Sequence, residues 1–563
     1  MGQEQSTSAL EAVDAVQNEL DQNVSPAGIK LYKYVTAGSL GKWELSSSAA
    51  KPHFYDALED SSSAGKKSDW FMVVDASDIE VHLDQSAGLI MDVTQRRLTF
   101  NADGQVWAMR FPDVETFKSF GAEMNSKLFY NTYGYENTDA GRAKGLGADY
   151  ADRMFNIEGI QVVQPMDVDP ERDDFATPEK IKEKSARQDD PQDDPIMGVV
   201  MGANDNSYLL KSGGKFDVLR NVVGSGVEDK CISFTLTPGT SKGSSRTPSM
   251  FTPSRVLLAQ GERKMNLLTP DNPNLLHHAD VETGQIVSTF SFQKDRVEIP
   301  IKDITHDSKT GQMEETSTFL GLDNNRLCRW DLRDAKGKVA ESPVVNYQEG
   351  KDYSRGTNFN CMATSGDGFV VIGSQDGQVR LYSNTSLTMA KTSIPSMGSP
   401  ITSVDVTYDG KWVVATSDHY LMVVKTTYQS DKGAACNAFT SRMGGRGSMP
   451  RLLRLKPEDQ ARVGNKPLQK GKFSWITESG QNERWIVASC GKYSVIWNFS
   501  KVKGSTTGEM SFGNMPTLTD YILTAKEEEV VDSAFQHRRY APEAADASIV
   551  VATQHSLFNV GGA

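Results

Sequence analysis

Residues Thr318 to Arg333 read TFLGLDNNRLCRWDLR, and the fold turns on them. An apolar run, Phe319 to Leu322, leads into a polar turn at Asp323-Asn324-Asn325, and a second strand-forming run closes on Trp330-Asp331. Asn and Asp accept the positive φ that a tight hairpin demands, while Phe319, Leu320, Leu327 and Trp330 supply bulk that packs well on a pleated surface. A hairpin whose second strand ends in Trp-Asp reads as the last two strands of a β-propeller blade.

One match is weak, but the ending recurs. Lys215-Phe-Asp-Val-Leu219, Leu276-His-His-Ala-Asp-Val281, Val379-Arg-Leu-Tyr-Ser383, Leu421-Met-Val-Val-Lys425, Ser494-Val-Ile-Trp-Asn-Phe499 and Ser556-Leu-Phe-Asn-Val560 join Leu327 to Leu332, making seven. Turn signals at Gly366-Asp-Gly368, Asp376-Gly377 and Asp409-Gly410 divide apolar runs ahead of several of them. The expected fold class is therefore mainly β: a seven-bladed WD40-like β-propeller over residues 198–563, with each ending taken as the last strand of its blade. A strand from Gly198 to Leu210 is expected to complete the final blade. Propellers accept insertions because these project from a face and leave sheet packing intact. Thr237 to Pro253 is one such insertion, with Thr-Pro steps at Thr237, Thr247 and Thr252 as candidate phosphorylation sites. The segment from about Gly433 to Lys472 is a second, and it is basic. Its Arg442, Arg446, Arg451, Arg454 and Lys456 are candidate anion- or partner-binding residues, set against a solvated loop as the plain alternative.

Upstream, residues 28–135 carry a run of strand-like segments, from Ile29–Val35 to Val106–Phe111, and then one amphipathic helix opened by Pro112 and faced by Val114, Phe117, Phe120, Met124 and Leu128. This is the pattern of a pleckstrin-homology-like domain: a curved antiparallel sheet closed by one C-terminal helix. Only Lys30, Lys33 and Lys42 stand where lipid-binding members concentrate positive charge, so a protein-docking or structural role is favoured over lipid headgroup binding. Residues 136–197 read as an acidic flexible linker, because paired aspartates and prolines accumulate where apolar periodicity fades. Residues 1–27 form an N-terminal tail with a short helix. There Met1-Gly2-Gln3-Glu4-Gln5-Ser6 fits N-myristoylation at Gly2.

A net charge of -13 over 563 residues argues against a nucleic-acid partner. No apolar run is long enough to span a bilayer, and the expected location is cytoplasmic, with peripheral membrane or vesicle association. The five cysteines are scattered and read as buried thiols. No phosphate loop, zinc-protease or nucleophile-elbow motif occurs, and Gly224-Ser-Gly226 lacks the rest of a dinucleotide loop. His277-His278 would point to opposite faces of a strand, and Glu314-Glu315 sit in turn-like sequence. No enzyme, cofactor or metal is expected.

The segment Asp280 to Arg333, together with Pro450-Arg-Leu-Leu-Arg-Leu-Lys-Pro457, Lys472-Phe-Ser-Trp475 and Gly491-Lys-Tyr-Ser-Val-Ile-Trp-Asn-Phe499, resembles the vacuolar import and degradation protein 27 family, nearest its plant-type members. The resemblance implies a PH-like domain ahead of a WD-like propeller, and a non-enzymatic protein with a part in delivering proteins to the vacuole. An interaction scaffold in vesicle trafficking is the leading expectation. The alternative is a myristoylated anionic-lipid sensor. A hydrolase on the propeller funnel is the remote one.

Overall fold

The computed structural model describes residues 28–37, 40–58, 67–74, 79–155, 181–222, 225–238, 252–294, 297–298, 300–332, 340–341, 358–474, 484–506, 508–536 and 548–562. Gly2 and Thr247 lie outside them.

The N-terminal half begins with β1 (Ile29–Ala37), β2 (Leu40–Ala50), β3 (Pro52–Asp56), β4 (Trp70–Val74) and β5 (Ile79–His82), and continues with β6 (Ile90–Asp92), β7 (Arg97–Ala102) and β8 (Gln105–Arg110). One sheet runs β2-β1-β8-β7-β6 and another β3-β4-β5. Only Lys51 separates β2 from β3, so a single bent strand feeds both sheets. Helix α1 (Val114–Tyr133) closes the arrangement. Its N-cap is Asp113, one residue after the proline, whose carboxylate accepts the Thr116 N–H at 2.7 Å. Phe117, Met124 and Leu128 are buried as their spacing requires, whereas Val114 in the first turn is exposed.

Beyond residue 181 the chain forms units of four antiparallel strands, and in the second a short fifth strand, Thr237–Pro238, pairs parallel with the outer one, Thr237 opposite Gln285. From inner to outer strand, sheet one takes Ile196–Val200, Asn206–Lys211, Lys215–Val222 and Gly226–Thr235, and sheet two Arg255–Ala259, Lys264–Leu268, Leu275–Asp280 and Gln285–Ser291. Sheet three takes Asp303–Thr305, Thr318–Leu322, Leu327–Asp331 and Ala340–Glu341, and sheet four Phe359–Thr364, Val370–Ser374, Val379–Tyr382 and Thr392–Ile394. Sheet five takes Ser403–Val406, Trp412–Thr416, Leu421–Lys425 and Arg451–Leu453, and sheet six Leu468–Phe473, Trp485–Cys490, Tyr493–Asn498 and Ile522–Ala525. Sheet seven takes Val530–Phe535, Ile549–Thr553, Ser556–Gly562 and β9 (Ile181–Gln188). The inner strands touch in that order, and Val530–Phe535 meets Ile196–Val200, which closes the ring.

The recurrent endings fall on the third strand of each sheet rather than the last. In sheets one to six a fourth strand follows, and where it is an edge with little to bury its sequence is quiet: Gly226–Thr235 is mostly exposed. The closing strand also differs from expectation. Gly198 to Leu210 lies within sheet one, and β9 completes sheet seven, with Leu557 opposite Arg187 and Val560 opposite Glu183. Its sequence IKEKSARQ is polar almost throughout, so apolar patterning gives no sign of it. The stretch read as a linker thus ends in a strand. It also starts with helix α2 (Asp139–Leu146) and a helical turn at Ala151–Met154.

The two halves share one sheet. An insertion in sheet six supplies the hairpin Glu509–Phe512 and Met515–Leu518. Its first strand pairs antiparallel with β6, Met510 opposite Met91, and its second pairs parallel with the outer strand of sheet five, Leu518 opposite Leu453. The result is an eleven-stranded sheet running from β2 to the inner strand of sheet five. Leu128, Phe129, Leu146, Tyr150, Met154 and Phe155 then share a core with Val371, Val413, Val424 and Phe512.

Trp330 is fully buried and packs edge-on against Phe292, ring centroids 5.0 Å apart. A Cβ on Gly321 would lie 2.6 Å from the Trp330 indole nitrogen. Gly321→Ala is therefore expected to cost about 1–3 kcal/mol in chemical denaturation through overpacking. A stability equal to wild type would show that the indole can move.

Candidate interaction site

The basic segment is structural rather than a free loop. It contains the outer strand of sheet five, a short helix Pro457–Arg462 and the inner strand of sheet six. Arg451 and Arg454 are buried completely or nearly so. Arg451 donates to the Val502 carbonyl. Arg454 donates to both the side-chain oxygen (3.0 Å) and the main-chain carbonyl (2.7 Å) of Gln85, between β5 and β6. Gln85 in turn donates to the Met397 carbonyl at 2.9 Å, so one glutamine ties the N-terminal half to two sheets of the ring. Burial pushes both guanidinium groups down to about 10.

The remaining cations of the group lie closer to solvent. Arg442 pairs with Asp149 beyond α2 at 2.6 Å, and Arg446 with Asp431 at 3.3 Å. Lys456 is exposed, and its backbone N–H donates to the Tyr521 hydroxyl. Neighbouring contacts extend the joint: Tyr133 donates to the Ser396 carbonyl, and Arg153 to the carbonyls of Gly445 and Gly447. The sequence presents these arginines as charge, but the Arg-Leu-Leu-Arg-Leu run places their long stems among buried leucines.

Of the phosphorylation candidates, Thr237 is exposed, and the Thr252 hydroxyl accepts the Gly213 N–H at 3.0 Å. His277 and His278 bond to different partners, Thr289 and Asn266. Cys328, Cys361 and Cys490 are buried as expected, but Cys436 is only partly so and Cys231 is exposed.

A second set of residues, at the centre of the ring, escaped the sequence reading. Asp303, Asp405 and Asp532 stand on the inner strands of sheets three, five and seven. Each takes its following residue's N–H on one oxygen, from Ile304, Val406 and Ser533. The other oxygen takes an N–H from the next inner strand, at Met362, Phe473 and Val199 respectively. Every carboxylate is also matched by cations: Arg255 at 2.8 Å on Asp303, Lys309 at 2.8 Å on Asp405, and Lys470 and Lys472 on Asp532. Lys309, Lys470 and Lys472 donate further to inner-strand carbonyls of Val406, Val531 and Ser533.

These are clasps between neighbouring sheets, and their electrostatics differ. Burial raises Asp303 above the ordinary carboxylate value despite Arg255. Burial acts on Asp532 in the same sense, but Lys472 and Lys470 together outweigh it and hold that carboxyl at about 2. The readable signal was an Asp followed by Ile, Val or Ser at one place in alternate repeats, which needs the sheets aligned to be seen.

The region from 199 to 561 matches the family model described as the VID27 C-terminal WD40-like domain. The chain belongs to the vacuolar import and degradation protein 27 family. Residues 4–147 match a domain of unknown function, DUF7135. The vacuolar import and degradation protein 27 of Schizosaccharomyces pombe is 28% identical over 310 residues, covering 54% of this chain and 36% of the relative. The Saccharomyces cerevisiae protein of the same name is 29% identical over 257 residues, covering 44% of this chain and 31% of the relative. The matched region thus spans about a third of the length of either relative of this family. Among the described residues, no helix is long and apolar enough to cross a membrane.

Proposed function

We propose that this chain is a non-enzymatic interaction platform of the vacuolar import and degradation protein 27 family, acting in vesicle trafficking or in targeting proteins for vacuolar degradation. The relatives' shared name supports that setting. The observation that carries the reading is the continuous sheet that fuses the N-terminal domain to the closed ring. It fixes two docking bodies in one orientation, so partners on each are held at a set spacing rather than on a tether. The ring itself is a seven-bladed propeller running from β9 to Ser556–Gly562, and the N-terminal domain over 28–135 docks protein rather than lipid. The location is cytoplasmic, and Thr237 is the most accessible of the described phosphorylation candidates.

Burial of Arg451 and Arg454 removes two of the charges that a membrane sensor would use. Wild type and a Gly2→Ala variant, affinity-purified from native cells after separation of membrane from cytosol, are expected to share the soluble fraction and the same partners. In liposome sedimentation, Arg442→Gln with Arg446→Gln is expected to leave the result unchanged. Membrane pelleting lost in the Gly2 variant, with its partners lost too, would overturn the scaffold reading and restore the lipid sensor.

A further inference from the structure

Among the described residues, the cations of these clasps outnumber the acids. Arg255, Lys309, Lys470 and Lys472 face Asp303, Asp405 and Asp532, four against three. The aspartates have little left to offer, since in each one oxygen takes a backbone N–H together with the ion pair and the other takes the N–H of the next inner strand. Arg255 and the two lysines on Asp532 have donors to spare. Arg255 bonds Asp303 through Nε alone, and among the described residues its two terminal nitrogens have no acceptor. Its side chain is nevertheless 45% exposed on an innermost strand. Lys470 and Lys472 share a single carboxylate and are 36% and 34% exposed.

Arg255 stands on the inner strand of sheet two, Lys470 and Lys472 on that of sheet six and Asp532 on that of sheet seven, and these inner strands border the centre of one closed ring. A planar guanidinium fork with two ammonium groups suits an oxyanion that carries more than one charge. A single carboxylate would leave most of those donors idle.

We propose that the centre of the ring binds a soluble, phosphate-bearing anion, held by the free edge of Arg255 together with Lys470 and Lys472. The site goes beyond the platform reading and does not depend on it, because it uses inner-strand residues of the ring and not the sheet that joins the two halves. Bound there, the anion would add a bridge between sheets two and six, so occupancy would also stiffen the ring.

Calorimetric titration of the full chain with inorganic pyrophosphate at low salt tests the site. Saturable binding is expected, weakened about tenfold or more by Arg255→Gln and by Lys470→Gln. Arg263→Gln, which alters an exposed arginine paired with Glu315, should bind like wild type. Arg255→Gln removes the partner of Asp303 and can lose the fold. In that event Lys470→Gln carries the test, because Lys472 remains on Asp532. No saturable heat from folded wild type, or unchanged affinity in a folded Lys470→Gln variant, overturns the proposal. Equal weakening by Arg263→Gln overturns it too, by showing diffuse surface charge as the cause.

Discussion

Arg454→Ala is expected to lower stability by about 3 kcal/mol and to loosen the N-terminal half from the ring before the ring itself unfolds. The reasoning starts with what the mutation leaves behind. Gln85 would keep a buried side-chain oxygen and a buried carbonyl that lose their donor, and each such group costs about 1–3 kcal/mol when unsatisfied. A large buried side chain would also leave a cavity. Against these stands a gain, because a desolvated guanidinium is itself costly to bury, which is why its pKa falls to about 10. The net loss remains, since removing one partner exposes the other group's penalty in full. Gln85→Ala should cost less. The double variant should cost less than the sum of the two single changes, with a coupling of about 1–2 kcal/mol. Hydrogen exchange supplies the location. The ladder between β6 and Glu509–Phe512 should exchange faster, while the inner strands of sheets one to three should not change. Uniform acceleration through both halves would mean that Arg454 stabilises the ring rather than the joint.

What the sequence shows and what it hides divide along a physical line. Alternating apolar residues report which face of a strand is buried, so the third strands, from Lys215–Val222 to Ser556–Gly562, announce themselves at Phe216, Leu276, Trp330, Leu381, Val423, Trp497 and Leu557. The helix face at Phe117, Met124 and Leu128 is legible for the same reason. Edge strands carry no such pattern, since one edge is open and both faces are half wet, and β9 stayed invisible inside an apparent linker. Pairing partners are hidden too. Nothing in Ile90–Asp92 or Glu509–Phe512 names the other, because backbone hydrogen bonds between them require no particular side chain. Charge misleads in the opposite direction. Arg451 and Arg454 look like a surface patch until the leucines interleaved with them are seen to be core, and Asp303, Asp405 and Asp532 look like ordinary polar residues until three sheets are aligned.

Arg187→Ala is expected to cost about 3–5 kcal/mol at neutral pH, and to open the ring at its seam. Arg187 lies on β9, the strand through which the start of this region closes sheet seven. It contacts Asp189 at 2.6 Å, Asp217 at 2.8 Å and Asp229 at 3.3 Å, and Lys211 joins the first two from 2.7 and 3.1 Å. Asp217 and Lys211 are each 1% exposed in their side chains. Two cations thus serve three acids across the seam between sheets one and seven, and deleting Arg187 leaves Lys211 alone between buried carboxylates. Breaking a buried ionic cluster on one side is the costly case, because the stranded charges keep their desolvation penalty. The pH dependence separates this from a packing defect. Burial alone would raise Asp189 and Asp217, but their hydrogen bonds and the charges of Lys211 and Arg187 outweigh it and hold both below the ordinary carboxylate value. A depressed carboxylate stabilises the fold fully above its unfolded pKa near 3.8, and that stability is lost as pH falls through the folded value. The difference between wild type and Arg187→Ala should accordingly be largest at neutral pH and shrink below about pH 4, as the stranded acids protonate in the variant. A difference that holds constant down to pH 3 would assign the loss to packing of the arginine stem. The Lys526 to Glu183 ion pair still anchors the other end of β9, so exchange should rise first in the ladder beside Arg187 and Leu557 and last beside Glu183 and Val560.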